Sequence, residues 1–304
     1  LHETPYALLE QHNLPEKWLI HDRNFFVIAE TGFSSGLNFL AIWQAFRHYR
    51  ETNQGGKVTR LHVISFEKSL LSKSDLKQAL AAWPDLTLLS EQLIAAYPYA
   101  VPGCQRLRFD DGAVVLDLWL GDANELLPQV YEPADGLADV WFLDGFAPAC
   151  NPDMWQETVL NPIVALSDYG TTFASFSVAG VLKRGLKQHG IHITRPRGFG
   201  HKREMLKAIW QAPEIASISD QNKTQTATNT TTSNQQRHIA IIGAGIAGLS
   251  CAWAFAQRGH QVTLYDQTAP LAGGSGNPLA LLNPKLCPIH QSADHLMTWH
   301  GNML

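Results

Sequence analysis

Three carboxylates in the first half of the chain each follow an apolar run. Leu61 to Phe66 leads into Glu67, Val114 to Trp119 leads toward Gly121-Asp122, and Ala138 to Leu143 leads into Asp144. Ligands of open α/β sheets bind outside the carboxyl ends of the strands, where such acids stand. A carboxylate there can accept hydrogen bonds from two ribose hydroxyls, accept one from an adenine amine, or take a proton from a reacting group. Glu67, Asp122 and Asp144 suit these three tasks in that order. Taken singly, each is as readily a solvated strand-end acid or a helix cap. Their joint order after the stretch Phe26 to Leu40 is more specific. That stretch runs from an apolar, β-branched segment through Glu30, Gly32 and Gly36 into a helical pattern at Leu37, Leu40, Ile42 and Phe46. Glycines let the backbone approach a ligand, and a helix N-terminus offers free N–H groups to an anion. The form is E-x-G-x-x-x-G, with no lysine after Gly36, so it is not a phosphate-cradling P-loop.

A second glycine loop lies near the far end. Arg237 to Ile242 reads as a strand running into Gly243-Ala244-Gly245-Ile246-Ala247-Gly248, a helix continues to Arg258-Gly259, and the strand Val262 to Tyr265 ends on Asp266. The acid follows the first glycine by 266 − 243 = 23 positions. G-x-G-x-x-G between two strands with an acid near that distance is a dinucleotide site: pyrophosphate on the helix N-terminus, ribose on Asp266.

The elements between these loops alternate. After the first strand and helix come the Leu61 strand, a helix from Ser74, and a strand from Val114 paired with Arg106 to Phe109 across Asp110-Asp111-Gly112. Then follow a helix over Ala123 to Val130, the Ala138 strand, a strand over Gly170 to Phe176 and a helix over Val178 to His189. Ile191 to Arg195 and Glu204 to Trp210 form a closing hairpin. The expectation is a doubly wound, mostly parallel α/β sheet ending in an antiparallel hairpin, the usual ending of S-adenosylmethionine-dependent methyltransferases. Residues 213–236, rich in Thr, Asn, Gln and Ser, cannot bury enough apolar surface to offset ordering, and read as a flexible linker between residues 1–212 and 237–304.

Composition narrows the classes. Across 304 residues the net charge is −4, which argues against a broadly cationic nucleic-acid binder but leaves room for a local basic patch. Four scattered cysteines without C-x-x-C spacing suggest thiols of a reducing cytosol and no metal site. Neither a membrane span nor a signal peptide is indicated. The first residue is Leu1 rather than Met, so a longer native chain is expected, and the 68 residues from 237 to 304 form one βαβ unit too small to fold well or oxidise anything alone.

Ala29 to Phe39, Ile64 to Lys68, Gly121 to Leu126, Phe142 to Pro148 with Asn151 to Trp155, and Gly198 to Met205 together resemble the methyltransferase half of the bifunctional tRNA 5-methylaminomethyl-2-thiouridine biosynthesis proteins. The likeness covers most of residues 20–210. The second loop and Gly274-Ser275-Gly276-Asn277-Pro278 resemble the start of that family's FAD-dependent oxidase half. The resemblance implies methyl transfer from S-adenosylmethionine to the aminomethyl group of the tRNA wobble uridine. In longer members, FAD-dependent removal of a carboxymethyl group supplies that amine.

Carried onto this sequence, the resemblance assigns Glu30, Gly32, Gly36, Asn38, Glu67, Lys68, Asp122 and Asp144 to S-adenosylmethionine, and Gly243, Gly245, Gly248 and Asp266 to FAD. Asp144 is the candidate base, with cofactor binding alone as its other reading. Phe146, Pro148 and Trp155 are candidates to wall the site or stack on a flipped base, and Trp155 is equally a candidate core residue. For tRNA the candidates are Arg197, Lys202 and Arg203 in the closing hairpin, with Arg195 and the helix residues Lys183, Arg184 and Lys187 nearby. A cytoplasmic monomer is expected. A small-amine methyltransferase and a catalytically silent tRNA-docking module remain as alternatives.

Overall fold

The computed structural model describes residues 12–130, 132–133, 136–143, 151–194, 205–212, 237–257, 259–277 and 279. The chain divides into two units, residues 1–224 and 225–304. The first unit contains α1 (Leu14–Ile20), β1 (Phe25–Glu30), α2 (Leu37–Thr52), β2 (Arg60–Glu67), α3 (Lys73–Leu80), α4 (Thr87–Ala96), β3 (Gly103–Phe109) and β4 (Val114–Leu120). It continues with the single turn α5 (Ala123–Leu126), β5 (Ala138–Phe142), α6 (Glu157–Ala165), β6 (Ser167–Ser175), α7 (Gly180–Gln188), β7 (His192–Thr194) and β8 (Leu206–Ile209). These strands form one 8-stranded sheet in the order β3-β4-β2-β1-β5-β6-β8-β7. Its five central strands are parallel, and antiparallel pairs close both ends, β3 with β4 and β8 with β6 and β7.

Strand periodicity divides the core between the two faces. Phe26 and Ile28 of β1 belong to one layer, with Val63, Leu116 and Phe142, under Trp18 of α1 and Phe39, Trp43 and Phe46 of α2. Val27 and Ala29 belong to the opposite layer, with Ile64, Phe66, Trp141 and Phe173, under Val159 and Ile163 of α6 and Leu182 and Leu186 of α7. A central strand buried on both faces must be apolar throughout, which is why β1 reads Phe-Phe-Val-Ile-Ala before its terminal acid. The spacing of Phe39, Trp43, Phe46 and Tyr49 gives α2 its buried stripe.

Several boundaries differ from sequence expectation for local reasons. The helix expected over Ala123 to Val130 is one α turn followed by a 3-10 turn, Leu127–Gln129, because Pro128 lacks the N–H an α-helix needs there. The helix expected from Ser74 is capped two residues earlier, where Ser72 Oγ accepts from the Asp75 amide at 3.1 Å. The helix after the second glycine loop ends at Ala256, short of Arg258-Gly259, and Gly259 follows with a φ of 80°. In α6, Pro162 inside the helix disguised it in the sequence, yet buried Val159, Leu160, Ile163 and Val164 hold it in place. The closing hairpin is present as β7 and β8, while residues 195–204 lie outside the described residues.

The second unit is a parallel pair, β9 (His238–Ile242) with β10 (Gln261–Tyr265), joined through α8 (Ile246–Ala256). The register runs from His238 opposite Gln261 to Ile242 opposite Tyr265. No helix among the described residues is long and apolar enough to cross a membrane.

At the β3 end of the sheet, Asp117 is buried at 5% exposure and takes a two-pronged grip from Arg106, at 2.6 and 2.5 Å, with His62 Nε2 at 2.8 Å. Burial alone would raise its pKa. The Arg106 and His62 hydrogen bonds outweigh burial and hold the carboxyl at about 2. Because the folded value lies below the unfolded one, the stabilisation is fully present above the ordinary value of 3.8 and is lost as pH falls through about 2. Asp117→Asn is expected to cost about 2 kcal/mol at neutral pH and to flatten the acid limb of stability. Denaturant titrations from neutral pH down to pH 2 check this, and an unchanged acid limb would refute it.

Candidate functional site

The strand order reverses at β1. From β1 the chain winds outward through β2 to β4, then returns to β5 on the other side. The carboxyl ends of β1, β2 and β5 therefore border the crevice in which open α/β sheets bind their ligands.

The first glycine loop crosses this crevice. Its start is tied to the neighbouring strand by the Thr31 amide, which donates to the Phe142 carbonyl at 3.1 Å. A tight turn follows, with the Gly36 amide donating to the Phe33 carbonyl at 2.7 Å. Ser34 has a φ of 52° and Gly36 one of 68°, so the loop holds two residues in the left-handed region. A Cβ on Gly36 would stand 2.6 Å from Cζ of Phe33 and 3.1 Å from Cδ2 of Leu93, so glycine is required by both conformation and space. Gly32 lies in the same loop, partly exposed.

Glu30, the last residue of β1, is fully buried. It accepts hydrogen bonds from Ser65 Oγ at 2.8 Å and from Asn38 Nδ2 at 3.3 Å, joining β1, β2 and the first turn of α2. Glu67, at the end of β2, accepts from the Ser34 amide at 2.8 Å through one oxygen and from the Ser69 amide at 2.8 Å through the other. Each oxygen keeps a further acceptor position. The backbone of Ser34 is a participant that the sequence pattern did not single out, since an amide contact leaves no residue-type signal.

Asp122 is more committed than its sequence position suggested. One oxygen caps α5, accepting from the Asn124 amide and side chain, each at 2.9 Å, and the other accepts from Lys68 Nζ at 2.8 Å. The Lys68 ammonium, followed by the Asn124 contacts, holds the Asp122 carboxyl at about 2. Asn124 is itself fixed by Thr158 of α6, whose hydroxyl donates to its side-chain oxygen at 2.5 Å. Lys68 and Asp122 thus bridge the ends of β2 and β4.

Trp155 departs from its expected role as a wall or stacking platform. Its indole is 3% exposed and packs in the core layer containing Val159 and Leu160, as large aromatics usually do. Asp144, Phe146, Pro148, Arg195, Arg197, Lys202 and Arg203 lie outside the described residues. On α7, Lys183, Arg184 and Lys187 line a cleft of about 370 Å³ with Gly180 and Ile193. Among the described residues no group of three or more His, Cys, Asp and Glu could hold a metal ion.

The second glycine loop has its own geometry. The Gly243 amide donates to the Tyr265 carbonyl at 2.7 Å, and Asp266 accepts from the Ala244 amide at 2.7 Å and from Thr268 at 3.0 Å. The Ala244 amide is the main reason the Asp266 carboxyl lies below its ordinary value. A Cβ on Gly248 would stand 1.8 Å from the Gly243 carbonyl oxygen, so helix and loop pack at a distance only glycine permits. Gly243, Gly245 and Asp266 line a cleft of about 490 Å³, and Ser275 Oγ accepts from the Ile246 amide at the α8 N-terminus at 3.1 Å. Close-packed glycines, free helix-terminal amides and a strand-end acid suit a flavin dinucleotide. The first loop, with Glu67 beside it, suits a nucleoside cofactor without a pyrophosphate.

Comparison with known proteins agrees with this division. Residues 84–211 match the family described as S-adenosyl-L-methionine-dependent methyltransferase, and residues 238–300 match FAD dependent oxidoreductase. The tRNA 5-methylaminomethyl-2-thiouridine biosynthesis bifunctional protein MnmC of Acinetobacter baylyi is 59% identical over 296 residues, 97% of this chain and 45% of that protein. Its namesake from Vibrio cholerae is 43% identical over 298 residues, 97% of this chain and 43% of that protein. The crystal structure of MNMC2 from Aquifex aeolicus superposes with a TM-score of 0.53 at 25% identity, covering 69% of this chain and 60% of that one. On these matches, along 97% of its length and under half of theirs, the chain belongs to the MnmC family of tRNA 5-methylaminomethyl-2-thiouridine biosynthesis bifunctional proteins.

Proposed function

We propose that residues 1–212 form an S-adenosylmethionine-dependent methyltransferase acting on the aminomethyl group of the tRNA wobble uridine, giving the 5-methylaminomethyl derivative. Residues 213–236 are a linker, and residues 237–304 belong to an FAD-binding unit. In the family's longer proteins that unit serves removal of the carboxymethyl group of 5-carboxymethylaminomethyluridine. The protein works as a cytoplasmic monomer. The observation that carries the reading is the pinning of Glu67 to the glycine loop through Ser34, which leaves acceptor capacity on both carboxylate oxygens beside the crevice.

Glu67 holds the ribose, Asp122 and Lys68 flank the adenine, and Glu30 with Asn38 shapes the floor under Gly32 and Gly36. When bound, S-adenosylmethionine supplies a methyl on a sulfonium leaving group. The protein's task is then to align a neutral amine with that methyl and to exclude water. The amine nitrogen forms its bond to the methyl carbon as the carbon–sulfur bond breaks, and the amine's surplus proton passes to a base. Asp144 fills that role, since an alkylamine is mostly protonated at neutral pH. Phe146 and Pro148 wall the base. Arg197, Lys202 and Arg203, supported by Lys183 and Arg184, contact tRNA phosphates.

Incubation of the chain with labelled S-adenosylmethionine and tRNA bearing the unmethylated aminomethyl group is expected to label the tRNA. Label on free polyamines and none on tRNA would replace this reading with a small-amine methyltransferase, and calorimetry finding no S-adenosylmethionine binding would reduce the chain to a docking module. Asp144→Ala is expected to lower the methylation rate by about 100-fold or more with cofactor affinity within a few-fold. A collapse of affinity would instead make Asp144 a cofactor ligand only. Gly36→Val is expected to abolish cofactor binding, because its side chain meets Phe33 and its backbone must stay at positive φ. Retained tight binding would move the site elsewhere.

A further inference from the structure

Among the described residues, four buried side-chain atoms lack a hydrogen-bond partner: His12 Nε2, Trp18 Nε1, Trp119 Nε1 and the Tyr97 hydroxyl. Tyr97 is distinguished by its neighbour, for the charge of Glu67 acts on its phenol. It stands immediately after α4. Leu93, four positions earlier, is the residue that closes on Gly36. Positions four apart fall on one side of a helix, so Tyr97 extends toward Glu67 the face that covers the glycine loop. Burial, with the Glu67 charge in addition, pushes the phenol up to about 12, so at neutral pH it carries its proton. A donor buried without an acceptor destabilises the protein unless something else supplies the acceptor.

Glu67 supplies the complementary half of a site. Its oxygens accept from the Ser34 and Ser69 amides, and each has room for one more donor. A hydroxyl both donates and accepts, so a pair of adjacent hydroxyls placed there can donate to Glu67 while one of them accepts from Tyr97. We infer that the Tyr97 hydroxyl is a binding residue for the cofactor ribose, donating to a ribose hydroxyl oxygen that itself donates to Glu67. This rests on the S-adenosylmethionine reading above and extends it to recognition of a ribose over a deoxyribose. Removing an unpartnered hydroxyl should leave the free protein as stable or more so, while weakening the complex. A structural role for Tyr97 would move both in the same direction.

The test is calorimetric titration of the full chain and its Tyr97→Phe variant with S-adenosylhomocysteine and with its 2′-deoxy and 3′-deoxy analogues, alongside thermal unfolding without ligand. The variant is expected to bind S-adenosylhomocysteine about fivefold to tenfold more weakly. It should bind as tightly as the unsubstituted protein to the analogue lacking the accepting hydroxyl, and its ligand-free melting temperature should be equal or higher. Equal affinity of both proteins for S-adenosylhomocysteine, or a fall in melting temperature in the variant, would overturn the inference. Absence of binding by the unsubstituted protein would overturn the cofactor reading itself, a separate result.

Discussion

The hydrogen bond between the Ser34 amide and the Glu67 carboxylate organises the nucleoside end of the first unit. It joins the loop after β1 to the tip of β2 across a sequence separation of 33 residues. Forming it requires Ser34 to hold a positive φ, which is costly for a residue with a side chain. The cost is met by what surrounds the loop: Gly36 turning under Phe33, Leu93 packing above, and Thr31 tied to β5. The carboxylate is thereby fixed before any ligand arrives. Preorganisation of this kind lowers the ordering cost of binding.

The second unit uses the same device with different dimensions. Asp266, at the tip of β10, accepts from the Ala244 amide of the loop after β9, as Glu67 accepts from Ser34. The loops differ in what glycine permits. Gly36 makes room for a phenyl ring, whereas Gly248 brings the start of α8 against the Gly243 carbonyl and leaves the helix N-terminus clear for an anion. One strand-end acid thus serves two cofactor chemistries, and the glycine spacing selects between them. This is the physical content of the contrast between E-x-G-x-x-x-G and G-x-G-x-x-G.

Much of this was legible in the sequence because it is written in residue types at strand ends. Glu30, Glu67, Asp122 and Asp266 stand where apolar runs stop, and the antiparallel pair around Asp110-Asp111-Gly112 is marked by its turn. Elements whose signal conflicts with a local rule were not legible. Pro162 inside α6 reads as a breaker, and only the burial of Val159 and Ile163 overrides it. Pro128 ended a helix that the apolar pattern would have extended. Trp155 matched a functional motif yet lies in the core, since a sequence gives an indole's position without its direction. Tyr97 was invisible because its interest lies in a missing partner.

Asp122 sets the limit on how strongly adenine can be recognised. Its carboxylate already caps α5 and pairs with Lys68, so an adenine amine arriving there adds a donor to an acid that is largely satisfied. An exposed ion pair between a lysine and a carboxylate is worth little on its own. Moving Lys68 aside therefore costs little, whereas disturbing the Asn124 cap would unsettle α5 and its link to Thr158. Adenine specificity on the proposed reading should thus come from the exchange of one weak partner for another at Asp122. The larger share of cofactor affinity falls to the ribose, where Glu67 retains acceptor capacity on both oxygens.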